Sequence, residues 1–122
     1  MRLAISTILT ISALIAPKLQ AHHSHGNYDL TDYVLLKGRV TEVHWMNPHT
    51  WIYLEVVGAD GEPAVWALEG ANISRLEQLG WAREDITVGD RFSARCHQLR
   101  DGANGCLLGY LRPEGGEERL FD

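Results

Sequence analysis

Apolar and polar positions along this chain first alternate with a period of two, and the alternation then slips. Leu36, Gly38 and Val40 alternate with Lys37, Arg39 and Thr41, whereas Val43 and Trp45 continue the apolar set one residue out of phase. A strand whose phase slips by one carries a β-bulge, placed here near Thr41 and Glu42. Asn47-Pro48 marks a turn. Residues 50–57 read as a second strand, with Ile52, Leu54 and Val56 on one face and Trp51, Tyr53 and Glu55 on the other. The segment 58–63 is Gly- and Asp-rich and ends in Pro63, which suits a hairpin loop. Residues 64–69 form a third strand carrying Trp66 and Leu68.

The period then lengthens. Ile73, Leu76 and Leu79 recur every three residues along one helical stripe, with Asn72 placed as N-cap and Gly80 as terminator. Val88-Gly89-Asp90 turns the chain into a fourth strand over residues 91–99, and Asp101-Gly102 and Asn104-Gly105 turn it again. Residues 106–111 make a fifth strand, and residues 119–121 a short sixth. Three strands, one short helix and two or three strands, with the first strand bulged, predict an all-β domain with one short helix. The expected form is an OB-like barrel of five to six strands, closed, with the helix across one end. An open sandwich of the same strands is the alternative.

The first residues follow another logic. Arg2 precedes an uncharged, mostly apolar run over residues 3–16, then Pro17 and the small residue Ala21. That order reads as a signal peptide cut after Ala21. The run is shorter than the roughly 17–25 residues that span a bilayer, so no membrane span is expected after cleavage. The expected organisation is a signal peptide over 1–21, a His-rich arm over 22–32 and a barrel over 33–122, in the periplasm or secreted. The leader holds two of the 11 Lys and Arg and none of the 16 Asp and Glu, so the mature formal charge is −7. Such an acidic domain is a poor match to nucleic-acid phosphates. Its two cysteines, Cys96 and Cys106, flank a turn centred on Asp101. Outside the cytoplasm they are expected to form a disulfide across a hairpin, with Ala94 opposite Leu108 and Phe92 opposite Tyr110.

Candidate chemistry concentrates in histidines. Cleavage after Ala21 makes His22 the terminal residue, whose amine and imidazole can chelate one metal, with His23 and His25 close by and His49 available from the folded domain. Nitrogen donors suit Cu(II) first and Zn(II) after it. A cut after Gln20 puts His23 third, another Cu(II)-binding arrangement. The same segment also reads as a solvated polar arm. Trp45, Met46, Asn47, Pro48 and His49 join the first two strands, where an OB barrel takes ligands. His44, Trp45, Asn47 and His49 are candidate contacts there, and a well-made turn is the plainer reading. Trp51 and Tyr53 form either a stacking platform for a flat ligand or partner protein, or a cover for the helix or arm. Glu69 reads first as a solvated acid, and alternatively as an acid that supports the nearby histidines. No Gly-x-Ser-x-Gly, phosphate loop or His-Glu-x-x-His occurs, so binding is expected rather than catalysis. Two functions remain: a metal-binding barrel, and an accessory module that docks a periplasmic protein through the first loop and the aromatics.

Several of these segments occur together in one family. Ala21-His22-His23-Ser24 after a leader, Tyr28-Asp29, the stretch from Leu36 to Thr41, Trp45-x-Asn47-Pro48-His49, Leu79-Gly80-Trp81 and Gly89-Asp90 resemble a family of small exported bacterial proteins known only as a domain of unknown function. The resemblance spans the mature chain and implies architecture without an activity. His25 stands where members usually carry Phe, and Cys96 and Cys106 lie outside the shared pattern. The chain is more distantly similar to the bacterial exported OB-fold family, which implies the barrel by analogy.

Overall fold

A computed structural model describes residues 25–122. Six strands, β1 (Val34–His44), β2 (Trp51–Val57), β3 (Pro63–Glu69), β4 (Arg91–Gln98), β5 (Gly105–Pro113) and β6 (Arg119–Leu120), surround one α-helix, α1 (Ile73–Gln78). The strands run in the order β3, β2, β1, β4, β5, β6. Parallel pairing of β3 with β5 then joins the two sides and closes a five-stranded barrel, with β6 as an addition to β5. The barrel is therefore closed, as the strand order and the bulge predict, and the open sandwich is set aside.

β1 makes closure possible. Its eleven residues pair first with β4 and then with β2. Between those partners the register slips: Val40 faces Leu54, but Glu42 faces Tyr53, so Thr41 is the inserted residue. A bulge sharpens the local bend and twist of a strand. At Gly38, β1 and β2 approach so closely that a Cβ would lie 2.1 Å from the Glu55 carbonyl oxygen, so only glycine fits.

Inside the barrel, Leu36, Val40, Ile52, Leu54, Leu68 and Leu111 are buried. They come from alternate positions of four strands, which is the expected signature of one filled face. α1 is brief, but its ends are made as its sequence requires. The Asn72 side chain accepts the Arg75 N–H at 2.8 Å. Gly80 follows at φ +81°, where a side chain would be strained. Leu76 carries the helix into the core and is fully buried, a burial worth about 1.5–3 kcal/mol. Trp81 continues that contact: its ring meets Phe121 at 5.0 Å and its indole N–H donates to the Leu120 carbonyl at 2.8 Å. β6 and the chain end are thereby fastened beside the helix.

Cys96 and Cys106 form the expected disulfide, but the hairpin around it differs from the sequence reading. Ala94 faces Leu111 and Phe92 faces Pro113, not Leu108 and Tyr110. The turn pivots at Gly102, which takes φ +79°, one residue beyond Asp101, and this moves every partner by two. A second slip between Arg95 and Cys96 adds one more. Cys96 thus faces Leu108 and Cys106 faces Gln98, so the bridge is diagonal. Among the described residues, no helix is long and apolar enough to cross a membrane.

Candidate functional site

The loop after β1 is held from two sides. The Asn47 side-chain oxygen accepts the Ile73 N–H at 3.0 Å, latching the loop to the first turn of α1. Thr50 N–H donates to Ala71, and Gly70 N–H returns a bond to Thr50. Asn47-Pro48 is a cis peptide. Trp45 packs against the core, while Met46 is about half exposed. Within this frame the His49 ring lies against the end of β3. Its Nδ1 is 3.2 Å from Glu69 Oε1 and 3.3 Å from the Gly70 carbonyl oxygen. Both of these neighbours accept and neither donates, so the contact suits a proton on Nδ1.

Glu69 is the hinge of the arrangement, and here the reading as a solvated acid is corrected in favour of the alternative that sets it beside a histidine. Its side chain is only 13% exposed. Its second oxygen, Oε2, accepts the Tyr28 hydroxyl at 2.5 Å. Strand alternation does point Glu69 away from the core, because Leu68 faces inward. What covers it is the chain before β1. His25–Asn27 form one 3-10 turn rather than extended chain. Tyr28 then bridges to Leu99 antiparallel. Asp29 N–H donates to Gln98, Arg100 N–H donates to Asn27, and the Arg100 guanidinium donates to the Tyr28 carbonyl at 3.0 Å. This segment is fastened along the end of β4, with Tyr28 buried at 7% exposure. Leu107 points outward between inward-facing Cys106 and Leu108, yet it too is buried. Burial, and beyond it the carboxylate of Glu69, push the Tyr28 hydroxyl well above its ordinary value of 10.0. It is a neutral donor throughout the ordinary pH range.

The other candidates fall into place around this core. Trp51 is paired with His44 on one side and Glu69 on the other, so the three form one outward-facing row across β1, β2 and β3. Trp51 and Tyr53 are half-buried on that face. His44 is engaged by Glu42 and tilts toward the Tyr53 ring at 5.3 Å. His25 is exposed in the 3-10 turn. His22 and His23 lie outside the described residues. Among the described residues, no three His, Cys, Asp or Glu side chains converge as a metal site.

Three packed residues escaped the sequence reading. Tyr28 was the only aromatic in a polar stretch, and a tyrosine that buries its ring needs a partner for its hydroxyl. That was the available signal. Tyr33 and His97 carried none: they stack at 4.1 Å, with His97 Nδ1 2.9 Å from the Asp32 carbonyl, across 64 residues of sequence.

Comparison with known proteins adds the family. No curated protein and no solved structure matches this chain. The model of the Family of unknown function (DUF6152) matches residues 11–108, most of the chain, and the chain belongs to that family.

Proposed function

We propose that this protein is exported, cut after Ala21, and serves outside the cytoplasm as a small binding barrel. In this reading it holds Cu(II) or Zn(II) between the His22 terminus and His49. One observation carries it: Glu69 accepts from Tyr28 through one oxygen and lies 3.2 Å from His49 Nδ1 through the other. A histidine that ligates a metal characteristically gives its other ring N–H to a carboxylate or backbone carbonyl, which fixes the ring and raises its basicity. Glu69 and Gly70 offer both to His49 Nδ1. The same carboxylate tethers the arm. Tyr28 lies six residues after His22, a stretch that reaches at most about 20 Å. The terminal amine, His22 and either His23 or His25 are thereby within range of His49. Such a nitrogen set favours Cu(II) over Zn(II). The reading is one of binding, with no chemical transformation.

The test is Cu(II) and Zn(II) titration of the chain beginning at His22, of a chain with one extra residue before it, of His22→Ala and of His49→Ala. The native terminus should bind most tightly. His49→Ala should weaken binding by roughly tenfold or more, and binding should fall as pH drops below ~6.5. Equal binding by all four chains, or none tighter than micromolar, overturns the metal site. The partner-docking reading, through the Trp45 loop, Trp51 and Tyr53, then takes its place. Mass spectrometry of exported protein checks the terminus, since a chain retaining Met1 removes the chelating amine.

A further inference from the structure

β1 changes partners at its middle, and the two pairings overlap at Gly38 and Arg39. Leu36 and Val40 point into the core, so Lys37 and Arg39 point outward. In one row across the sheet, Arg39 stands between Glu55 on β2 and Arg91 on β4. In the next row Lys37 faces Ser93. These side chains, with Glu114 at the rim, line a groove of about 370 Å³. That volume is within the range of small-molecule sites, roughly 300–1,000 Å³. The groove adjoins the far half of β2 from Trp51 and is separate from the site built on His49.

Its charge is at odds with the rest of the molecule. The chain is acidic overall, yet three cations meet here. Among the described residues, Lys37, Arg39 and Arg91 form no ion pair and donate no side-chain hydrogen bond, Glu55 and Glu114 notwithstanding. Elsewhere the arginines are used: Arg95 is paired bidentately with Glu118, Arg119 donates to Gly80, and Arg100 donates to Tyr28. Moreover, Arg39 and Arg91 sit directly opposite each other, and like charges in that relation destabilise a strand pair. An oxyanion between two guanidiniums removes the repulsion and receives paired donors from each.

We propose that this groove binds a small oxyanion-bearing molecule, its phosphate or carboxylate held between Arg39 and Arg91 and approached by Lys37. Glu55 and Glu114 accept from hydroxyl or amino groups on the body of the ligand. The binding needs neither the leader's removal nor a metal.

Amide NMR titration and calorimetry at constant ionic strength test it, with inorganic phosphate, glucose 6-phosphate and galacturonate as probes and sodium chloride as control. Saturable shifts should appear at Arg39, Val57 and Ser93. Glucose 6-phosphate should bind more tightly than inorganic phosphate if the two acids contribute, and the galacturonate arm reads the carboxylate source. Arg39→Gln and Arg91→Gln should each weaken binding by about tenfold or more. Arg91→Lys keeps the charge and loses the fork, so it too should weaken binding while leaving the fold intact. Without ligand, Arg91→Gln should melt no lower than the wild type, because it removes a repulsion. The absence of saturation at millimolar probe, equal shifts with chloride, or unchanged affinity in the arginine variants overturns the proposal.

Discussion

Replacing Tyr28 by phenylalanine removes one oxygen and leaves the ring in place. The ring is 7% exposed, so the apolar burial is nearly unchanged, and the perturbation is confined to the hydrogen bond on Glu69. A hydrogen bond to a charged partner contributes about 1.5–3 kcal/mol. Glu69 is 13% exposed and can recover little of it from water. We expect Tyr28→Phe to cost about 2 kcal/mol, which for a domain of this size lowers Tm by roughly 8–16 °C. The assay is thermal and urea unfolding of four chains: wild type, Tyr28→Phe, Glu69→Gln and the double variant. The two residues touch, so the cycle should return a coupling of at least about 1 kcal/mol. Additivity within about 0.3 kcal/mol would show that Glu69 is solvated and that the arm is not fastened through it.

The same contact predicts an alkaline limit. In the folded protein the Tyr28 hydroxyl holds its proton above the ordinary 10.0. The unfolded chain loses that proton first as pH rises past 10.0, so the unfolded state then binds fewer protons than the folded one. The stabilisation is fully present below that pH and is lost as pH climbs toward the folded value. Stability of the wild type should therefore fall more steeply above pH 10 than that of Tyr28→Phe. Parallel curves would contradict the assignment.

Three further outcomes follow from the fold. Cys96 and Cys106 are separated by 10 residues and fully buried, so the chain-entropy relation gives the bridge about 2.7 kcal/mol; Tm in reductant that opens it should drop by roughly 10–20 °C, and an unchanged Tm with two free thiols titrated would refute this. Among the described residues the buried Thr50 hydroxyl has no hydrogen-bond partner, so Thr50→Val, similar in shape, should be neutral or stabilising by up to about 1 kcal/mol in urea unfolding, whereas a loss above that would reveal a bond the hydroxyl makes. Gly38→Ala sets a methyl against the Glu55 carbonyl and should cost at least about 1–3 kcal/mol by the same measurement, and a neutral result would mean β1 and β2 part easily there.

The barrel was legible because its determinants are local. A phase slip between Val40 and Val43 located the inserted residue, and the register confirms it at Thr41. Alternation along residues 50–57 separated Ile52 and Leu54 from Trp51 and Tyr53. Asn72 and Gly80 bracketed the helix by capping chemistry that needs only neighbours. The β4 and β5 hairpin was less legible for a related reason. Two glycines in that turn, Gly102 and Gly105, can each shift the pivot by a residue, and sequence does not rank them. The structure puts positive φ at Gly102 and lays Leu99 against Gly105. A one-residue shift of pivot moves every cross-strand partner by two and preserves which face each side chain takes. The cysteines therefore still meet, although the pairing around them was misread.

The site was legible only in halves, and the missing half is long-range. His49 was singled out by the turn that carries it, and Glu69 was weighed first as a solvated acid and only second as a support for the histidines. Outer faces are normally wet, so a carboxylate there reads as solvated until something is known to cover it. The cover is Tyr28, 41 positions earlier, held by backbone bonds to Gln98 and Arg100 that no periodicity announces. Its effect is to convert an ordinary surface acid into a sequestered acceptor that binds two elements at once. A closed barrel needs no such acid for its core, which is complete without it. The contact therefore does something other than fill the barrel: it fixes where the N-terminal segment lies and how the His49 ring is oriented. Any ligand that touches both the segment at Tyr28 and the His49 ring meets them already aligned by one carboxylate, so the entropy of ordering that segment is largely met in folding rather than at the moment of binding.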